Sequence, residues 1–246
     1  EEALRRGALD ARVALGEALA RAGTLVLAIP ADATCALLGS LSSAPPRAQL
    51  ILDVASVKTA SARAGAALQA FVPSHPIAGG ERSGPAAARA DLFEGAVWVF
   101  DPAAAAPAQR YARALIERLG GRPLPLASEQ HDRLIALSSH LPQVLSVALG
   151  ARVVAAAARE PEVLALCGPG IRSMLRLGGS SWAMWRPILA QNAAPLAQEV
   201  RALAEVLCEA ARALESGSPE PLEARFAEAA ATVACLGEGA QGRSDV

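Results

Sequence analysis

A chain of 246 residues that is 52% hydrophobic and 19% charged can bury a substantial core, which excludes an intrinsically disordered segment. Its net charge of −1 offers no basic field for nucleic acid or an anionic membrane surface, and no apolar run in the sequence approaches the ~20 residues of a membrane span. Residues 1–22 pattern as an amphipathic helix. Residues 24–29 are a continuous apolar run closed by Pro30, as expected for a strand buried on both faces. A helix over 32–41, a second buried strand over 49–54, an alanine-rich helix over 59–69 and a short strand over 70–73 follow. The strand 96–100 is closed by Asp101-Pro102, the helix 106–119 stops at Gly120-Gly121, and residues 122–126 read as a last short strand.

From Ser128 onward the strand pattern gives way to helical ones. Residues 129–158 are helical with Pro142 as a kink or break, followed by helices over 180–191, 194–216 and 219–236, the last two joined by a turn at Gly217-Ser218-Pro219. The alternation of strand and helix predicts a Rossmann-like α/β domain with a parallel sheet over residues 1–127. An all-α domain over 128–246 completes the chain. A dinucleotide-binding fold starts with a strand, a Gly-x-Gly-x-x-Gly turn and a helix. No such pattern precedes residue 24, so the α/β domain is expected to lack its first strand and glycine-rich turn.

Four cysteines, Cys35, Cys167, Cys208 and Cys235, stand far apart without a Cys-x-x-Cys pair, a spacing that argues against zinc and for buried free thiols in a reducing cytoplasm. Of 23 basic residues, Lys58 is the one lysine and the other 22 are arginine, which marks a position where a compact ammonium serves better than a guanidinium fork. The three histidines are His75, His131 and His140. Ser56, Lys58 and His75 each follow a predicted strand, and in an open parallel sheet ligands bind beyond the carboxyl ends of the strands. Together they outline a crevice with a proton acceptor, a hydroxyl and a cation, although Ser56 also suits the N-cap of the helix that follows it.

The run Asp53-Val54-Ala55-Ser56-Val57-Lys58, then Ser74-His75-Pro76-Ile77-Ala78-Gly79 through Gly84, then Asp91-Leu92-Phe93, resembles the prephenate and arogenate dehydrogenase family. The likeness continues in order through His131-Asp132, Ser139-His140-Leu141-Pro142, Arg176 and Trp185-Arg186. That resemblance implies oxidative decarboxylation of prephenate by hydride transfer to NAD, with NADP possible, or the same reaction on arogenate, in a cytoplasmic homodimer built through the helical domain. It implies that His75 takes the proton of the ring hydroxyl with Ser56 beside it, and that Pro30, Ser56 and Pro76 lie along the cofactor. It assigns Arg176, Lys58, Arg172, His140, Gln143 and Glu81 to the dicarboxylate substrate. Gln143 stands where many relatives have a second histidine, and glutamine can hydrogen-bond but carries no charge. Two other readings stay open at this point. One is a nicotinamide enzyme for a small hydroxy acid, which calls for a lysine in the helical half. The other is a non-catalytic dimerisation module that has lost nucleotide binding.

Overall fold

The computed structural model describes residues 2–79 and 84–241, which fall into two compact units, Glu1–Leu196 and Ala197–Val246. The first unit opens with two short helices, α1 (Glu2–Arg5) and α2 (Leu15–Arg21), in place of the one helix expected over 1–22. Gly7 is the cause: its φ of +67° is left-handed, and the N–H groups of Gly7 and Ala8 bond back to Leu4 and Ala3, which closes the helix.

Strands β1 (Thr24–Leu27), β2 (Leu50–Asp53) and β3 (Phe71–Val72) pair in parallel in that order. Helices α3 (Ala31–Leu41) and α4 (Thr59–Ala64) make the crossovers. All four residues of β2 are buried. Leu50 and Leu52 pack with Val72, Phe100 and Ile116 on one face, and Ile51 with Leu38 and Phe71 on the other. A strand covered on both sides needs no polar alternation, which is why it reads as an unbroken apolar run.

A second three-stranded sheet holds β4 (Ser74–Pro76), β5 (Val97–Phe100) and β6 (Arg122–Pro125), with α5 (Ala106–Arg118) between the last two. β5 and β6 are parallel, but β4 runs antiparallel to β5 with His75 opposite Val99. Parallel pairing throughout, with His75 in a loop after a strand, is what the sequence predicts; in the structure His75 lies within a strand. Pro73 explains the change. It has no N–H to extend the β3 ladder, so the chain turns there and exchanges β2 for β5. The stop expected after α5 is present: Gly120 takes φ +77° and the N–H of Gly121 returns to the Ile116 carbonyl at 2.9 Å.

Helices α6 (Ser128–Ile135) and α7 (Leu141–Ala157) are joined by a π-helical turn, Ala136–His140. Pro142 therefore neither breaks nor ends the helix. Its missing N–H and its ring, which crowds the Ser138 carbonyl, are absorbed by the wider turn. Within the helical stretch Ser128–Ala157 a window of 18 residues reaches a mean hydropathy of 1.5, so the stretch is long and apolar enough to cross a membrane, contrary to the expectation from sequence. Its inward positions are His131, Asp132, His140, Gln143 and Ser146, buried polar groups with partners in the protein. A 3₁₀ turn (Pro161–Leu164), helix α8 (Pro169–Leu175), a 3₁₀ turn (Arg176–Gly179) and helix α9 (Trp182–Gln191) follow. The elements before residue 180 are too short and too rich in Pro and Gly to show a helical period in sequence.

Helix α10 (Ala193–Glu215) starts in the first unit and continues into the second, which also holds α11 (Glu223–Gln241). Gly217, at φ +72°, makes the expected turn between them, and Arg225 bridges Glu209 and Glu228. The free cysteines are not the buried thiols expected: Cys208 and Cys235 are exposed, and Cys35 and Cys167 are half-buried.

Candidate active site

The site is organised around Asp53, the last residue of β2, whose side chain is 0% exposed. A carboxylate there requires a counter-charge and donors. The Lys58 ammonium pairs with Asp53 Oδ2 and donates to the Ser74 carbonyl at 2.7 Å. The Ser74 N–H donates to Asp53 Oδ1 at 2.9 Å and its hydroxyl to the Asp53 carbonyl at 2.7 Å, while Trp98 Nε1–H donates to the Ser74 oxygen at 3.1 Å. These bonds fix β4 across the end of β2 and so set the position of His75. Lys58 was expected to present a cation to substrate. The structure corrects this: Lys58 is 1% exposed and its ammonium faces inward, where a compact point charge fits between carboxylate and carbonyl. Burial lowers its pKa, opposed by Asp53.

His75 Nδ1 lies 2.9 Å from His131 Nε2, with the two rings edge to face. His131 Nδ1 lies 2.8 Å from Asp132 Oδ1. Asp132 also accepts the N–H groups of Lys58 and Thr59, each at 2.8 Å. It is therefore Asp132, reaching over from α6, that caps α4, and not Ser56. The Ser56 hydroxyl makes no hydrogen bond among the described residues and is left at the cleft wall. Asp101, at the end of β5, accepts the N–H and hydroxyl of Ser128 and so ties the start of α6 beside the sheet. Burial above all, with the Lys58 charge second, holds the His75 pKa well below the usual imidazole value, so the ring is neutral at pH 7. For Asp132 burial alone acts upward, but the bonds from His131, Thr59 and Lys58 outweigh it and hold the carboxyl below its usual value.

His140 sits in the π turn, 1% exposed, with its Nδ1 3.1 Å from Asn192 Nδ2 and its ring edge-on to Trp185. Asn192 Nδ2 also donates to the Asp132 carbonyl at 2.8 Å, which links this histidine to the Asp132 backbone. Burial brings the His140 pKa down to about 4. Gln143 was expected to face the same cleft, but its amide donates to the Leu177 carbonyl at 2.9 Å. With Ser146, whose oxygen accepts the Gly178 N–H at 2.8 Å, it holds the turn that begins at Arg176. Arg176 and Arg172 are both exposed, and Arg172 Nε donates to the Cys167 carbonyl at 3.0 Å. Glu81 lies outside the described residues. Asn192 and the pairing of His131 with His75 were not anticipated. The adjacency His131-Asp132 was the one signal, since His and Asp on a helix otherwise read as independent polar positions.

A cleft of about 420 Å³ opens beside these groups, with Ala28, Ser56, His75, Pro76, Phe93 and Trp98 among the residues that line it. Pro30 stands exposed at the end of β1 as the N-cap of α3. The cleft has the size of an ordinary small-ligand site. Its small residues at the ends of β1 and β2 leave space for a flat ring beside His75, so the residues present fit the reactive end of a nicotinamide.

Residues 1–123 match the family model for the nucleotide-binding domain of prephenate dehydrogenases, and residues 127–228 the model for their dimerisation domain. NovF of Streptomyces niveus, a probable prephenate dehydrogenase, is 36% identical over 65% of this chain and 45% of its own length. The cyclohexadienyl dehydrogenase of Zymomonas mobilis is 30% identical over 73% of this chain and 64% of its own. The chain thus spans about half to two thirds of the length of these relatives. The structure of prephenate dehydrogenase from Aquifex aeolicus, solved with hydroxyphenyl propionate and NAD+, superposes with a TM-score of 0.88 over 96% of this chain and 84% of its own; at 22% identity that likeness is one of fold.

Proposed function

We propose that this chain, which belongs to the prephenate dehydrogenase family, carries out the oxidative decarboxylation of prephenate to 4-hydroxyphenylpyruvate with NAD as hydride acceptor. The observation that carries the reading is a neutral imidazole, His75, lining the same cleft as Ser56, whose hydroxyl makes no hydrogen bond among the described residues. The bound nicotinamide supplies the hydride acceptor; the chain supplies the base and the orientation. Ser56, Pro76 and Ala28 line its place at the strand ends, with Pro30 at the end of β1.

His75 accepts the proton of the ring hydroxyl at Nε2, the nitrogen left open by the Nδ1 contact with His131. As that hydroxyl carbon gives up hydride and becomes a carbonyl, the ring carboxylate leaves as carbon dioxide, the electrons of the broken bond aromatise the ring to a phenolate, and the phenolate oxygen takes the proton back from His75. Ser56 holds the reacting oxygen close to His75. Arg176, at the head of a turn anchored by Gln143 and Ser146, offers a planar fork to a substrate carboxylate.

Two copies form a homodimer through the helical segments. Exposed apolar side chains support this: Leu164, Leu166 and Trp182 in the first unit, Phe226, Val233 and Leu236 in the second, six large hydrophobics of which Leu166 is 82% exposed. Free cysteines accord with a cytoplasmic setting. The test is formation of reduced nicotinamide by the full-length protein with prephenate and, separately, with arogenate. Turnover of prephenate is expected; turnover of neither refutes the reading.

A further inference from the structure

The nitrogen through which His75 works is decided elsewhere. His75, His131 and Asp132 form a continuous line of contacts at 2.9 and 2.8 Å, in a region where His131 is 2% and Asp132 3% exposed. Each link admits one proton, and the chain has directionality only at its far end. Asp132, ionised, can only accept, so the proton of that link resides on His131 Nδ1. An imidazole that donates from Nδ1 and carries no second proton presents Nε2 as an acceptor. His75 then holds its own proton on Nδ1, and its Nε2 is the lone pair at the cleft.

We propose that Asp132 and His131 are positioning residues that lock His75 in the Nδ1–H form, keeping Nε2 open for the substrate proton and sharing the charge once His75 has taken it. The inference rests on His75 being the base. Asp132 does this while capping α4 through Lys58 and Thr59, so the segment between β2 and α4 that bears Ser56 and Lys58 is registered to α6, which bears His131, by the same carboxylate. The charged and titratable groups about His75 are Lys58, His131, His140 and Asp132. Of these His131 alone has a ring nitrogen bonded to it, and Lys58 is neutralised by Asp53. Asn192, which donates to both the Asp132 carbonyl and His140 Nδ1, holds His140 in the opposite form, with its proton on Nε2.

The chain has 3 histidines, so their ring nitrogens can be read directly in the resting protein by long-range ¹H–¹⁵N correlation, assigned with single substitutions. His75 and His131 are expected in the Nδ1–H form and His140 in the Nε2–H form. A His75 protonated on Nε2 overturns the proposal, whether or not the protein turns over prephenate. If the protein shows the expected ring forms but no turnover, it is the substrate reading that fails. In His131→Leu, which removes the acceptor, His75 should lose its single ring form and kcat should fall ~10- to 100-fold, the scale of one charge-assisted hydrogen bond, with KM changed little. The acid limb of log kcat/KM should also move to lower pH, because imidazolium at His75 has lost the group that accepts its Nδ1–H. His131→Gln, whose side-chain oxygen can still accept that proton, should recover the ring form and most of kcat. A fall in kcat with an unmoved acid limb, or no rescue by glutamine, assigns His131 a packing role and refutes the relay.

Discussion

Replacing Lys58 with methionine tests how the site is held. Methionine fills similar volume without charge, so the change is electrostatic more than steric. In the parent, Asp53 is 0% and Lys58 1% exposed, and the ammonium serves two acceptors, Asp53 Oδ2 and the Ser74 carbonyl. Removing one member of a buried ion pair leaves the other charge uncompensated, which costs about 3–5 kcal/mol. For a unit of this size each kcal/mol lowers Tm by about 2–4 °C, so a fall of roughly 10 °C is expected in thermal unfolding. The double variant Lys58→Met/Asp53→Asn removes both charges and should recover part of that loss, giving a coupling energy of order 1–3 kcal/mol in a double-mutant cycle. Lys58→Met with a loss below ~1 kcal/mol, or strictly additive effects of the two changes, would refute the view that this pair fixes β4 and with it His75.

Stability should decline as acid is added, in two steps. The folded-state pKa of His140, about 4, lies below its unfolded value of 6.5, so the unfolded chain takes up the proton first; stability is full above ~6.5, falls by up to about 3 kcal/mol toward pH 4 and then levels, as urea titrations at several pH values will show. His75 acts in the same direction; Asp132, whose pKa is depressed, adds a further loss as pH falls below its ordinary carboxyl range. Ser146→Ala removes the acceptor of the Gly178 N–H and should loosen the turn that carries Arg176, raising KM for the substrate ~3- to 10-fold with kcat nearly unchanged; an unaltered KM removes Ser146 from the site. Arg176→Ala should raise KM more strongly, by ~10-fold or above, in the same assay.

The apolar runs that became β2 and β5 were legible because a strand buried on both faces leaves a continuous hydrophobic signature; β1 carries the same signature and was expected to be buried on both faces too, but its Val26 is 49% exposed. Ser56 and His75 were legible as strand-end polar residues within a recognisable motif, and both line the cleft. Lys58 was misjudged because its partner, Asp53, reads from sequence as an ordinary strand-terminal acid; burial, which decides that its charge turns inward, is a tertiary property. The direction of β4 escaped notice because three residues after a proline carry no periodicity of their own. Asn192, 60 residues from Asp132 and 52 from His140, has no local pattern at all. Its role exists only once α9 and α6 are packed. The same holds for Gln143: an amide three positions from His140 suggests one shared face, but its partner is the Leu177 carbonyl, 34 residues away.

The most direct test of the central claim pairs turnover with binding in a His75→Asn variant of the full-length protein. Asparagine keeps a hydrogen-bonding side chain but cannot take up the hydroxyl proton. The account predicts that formation of reduced nicotinamide from prephenate falls by two orders of magnitude or more, the scale of ~10²–10⁴ for a lost general base, while the affinity for prephenate measured by calorimetry stays within a few fold. Turnover by His75→Asn at the parent rate would contradict it.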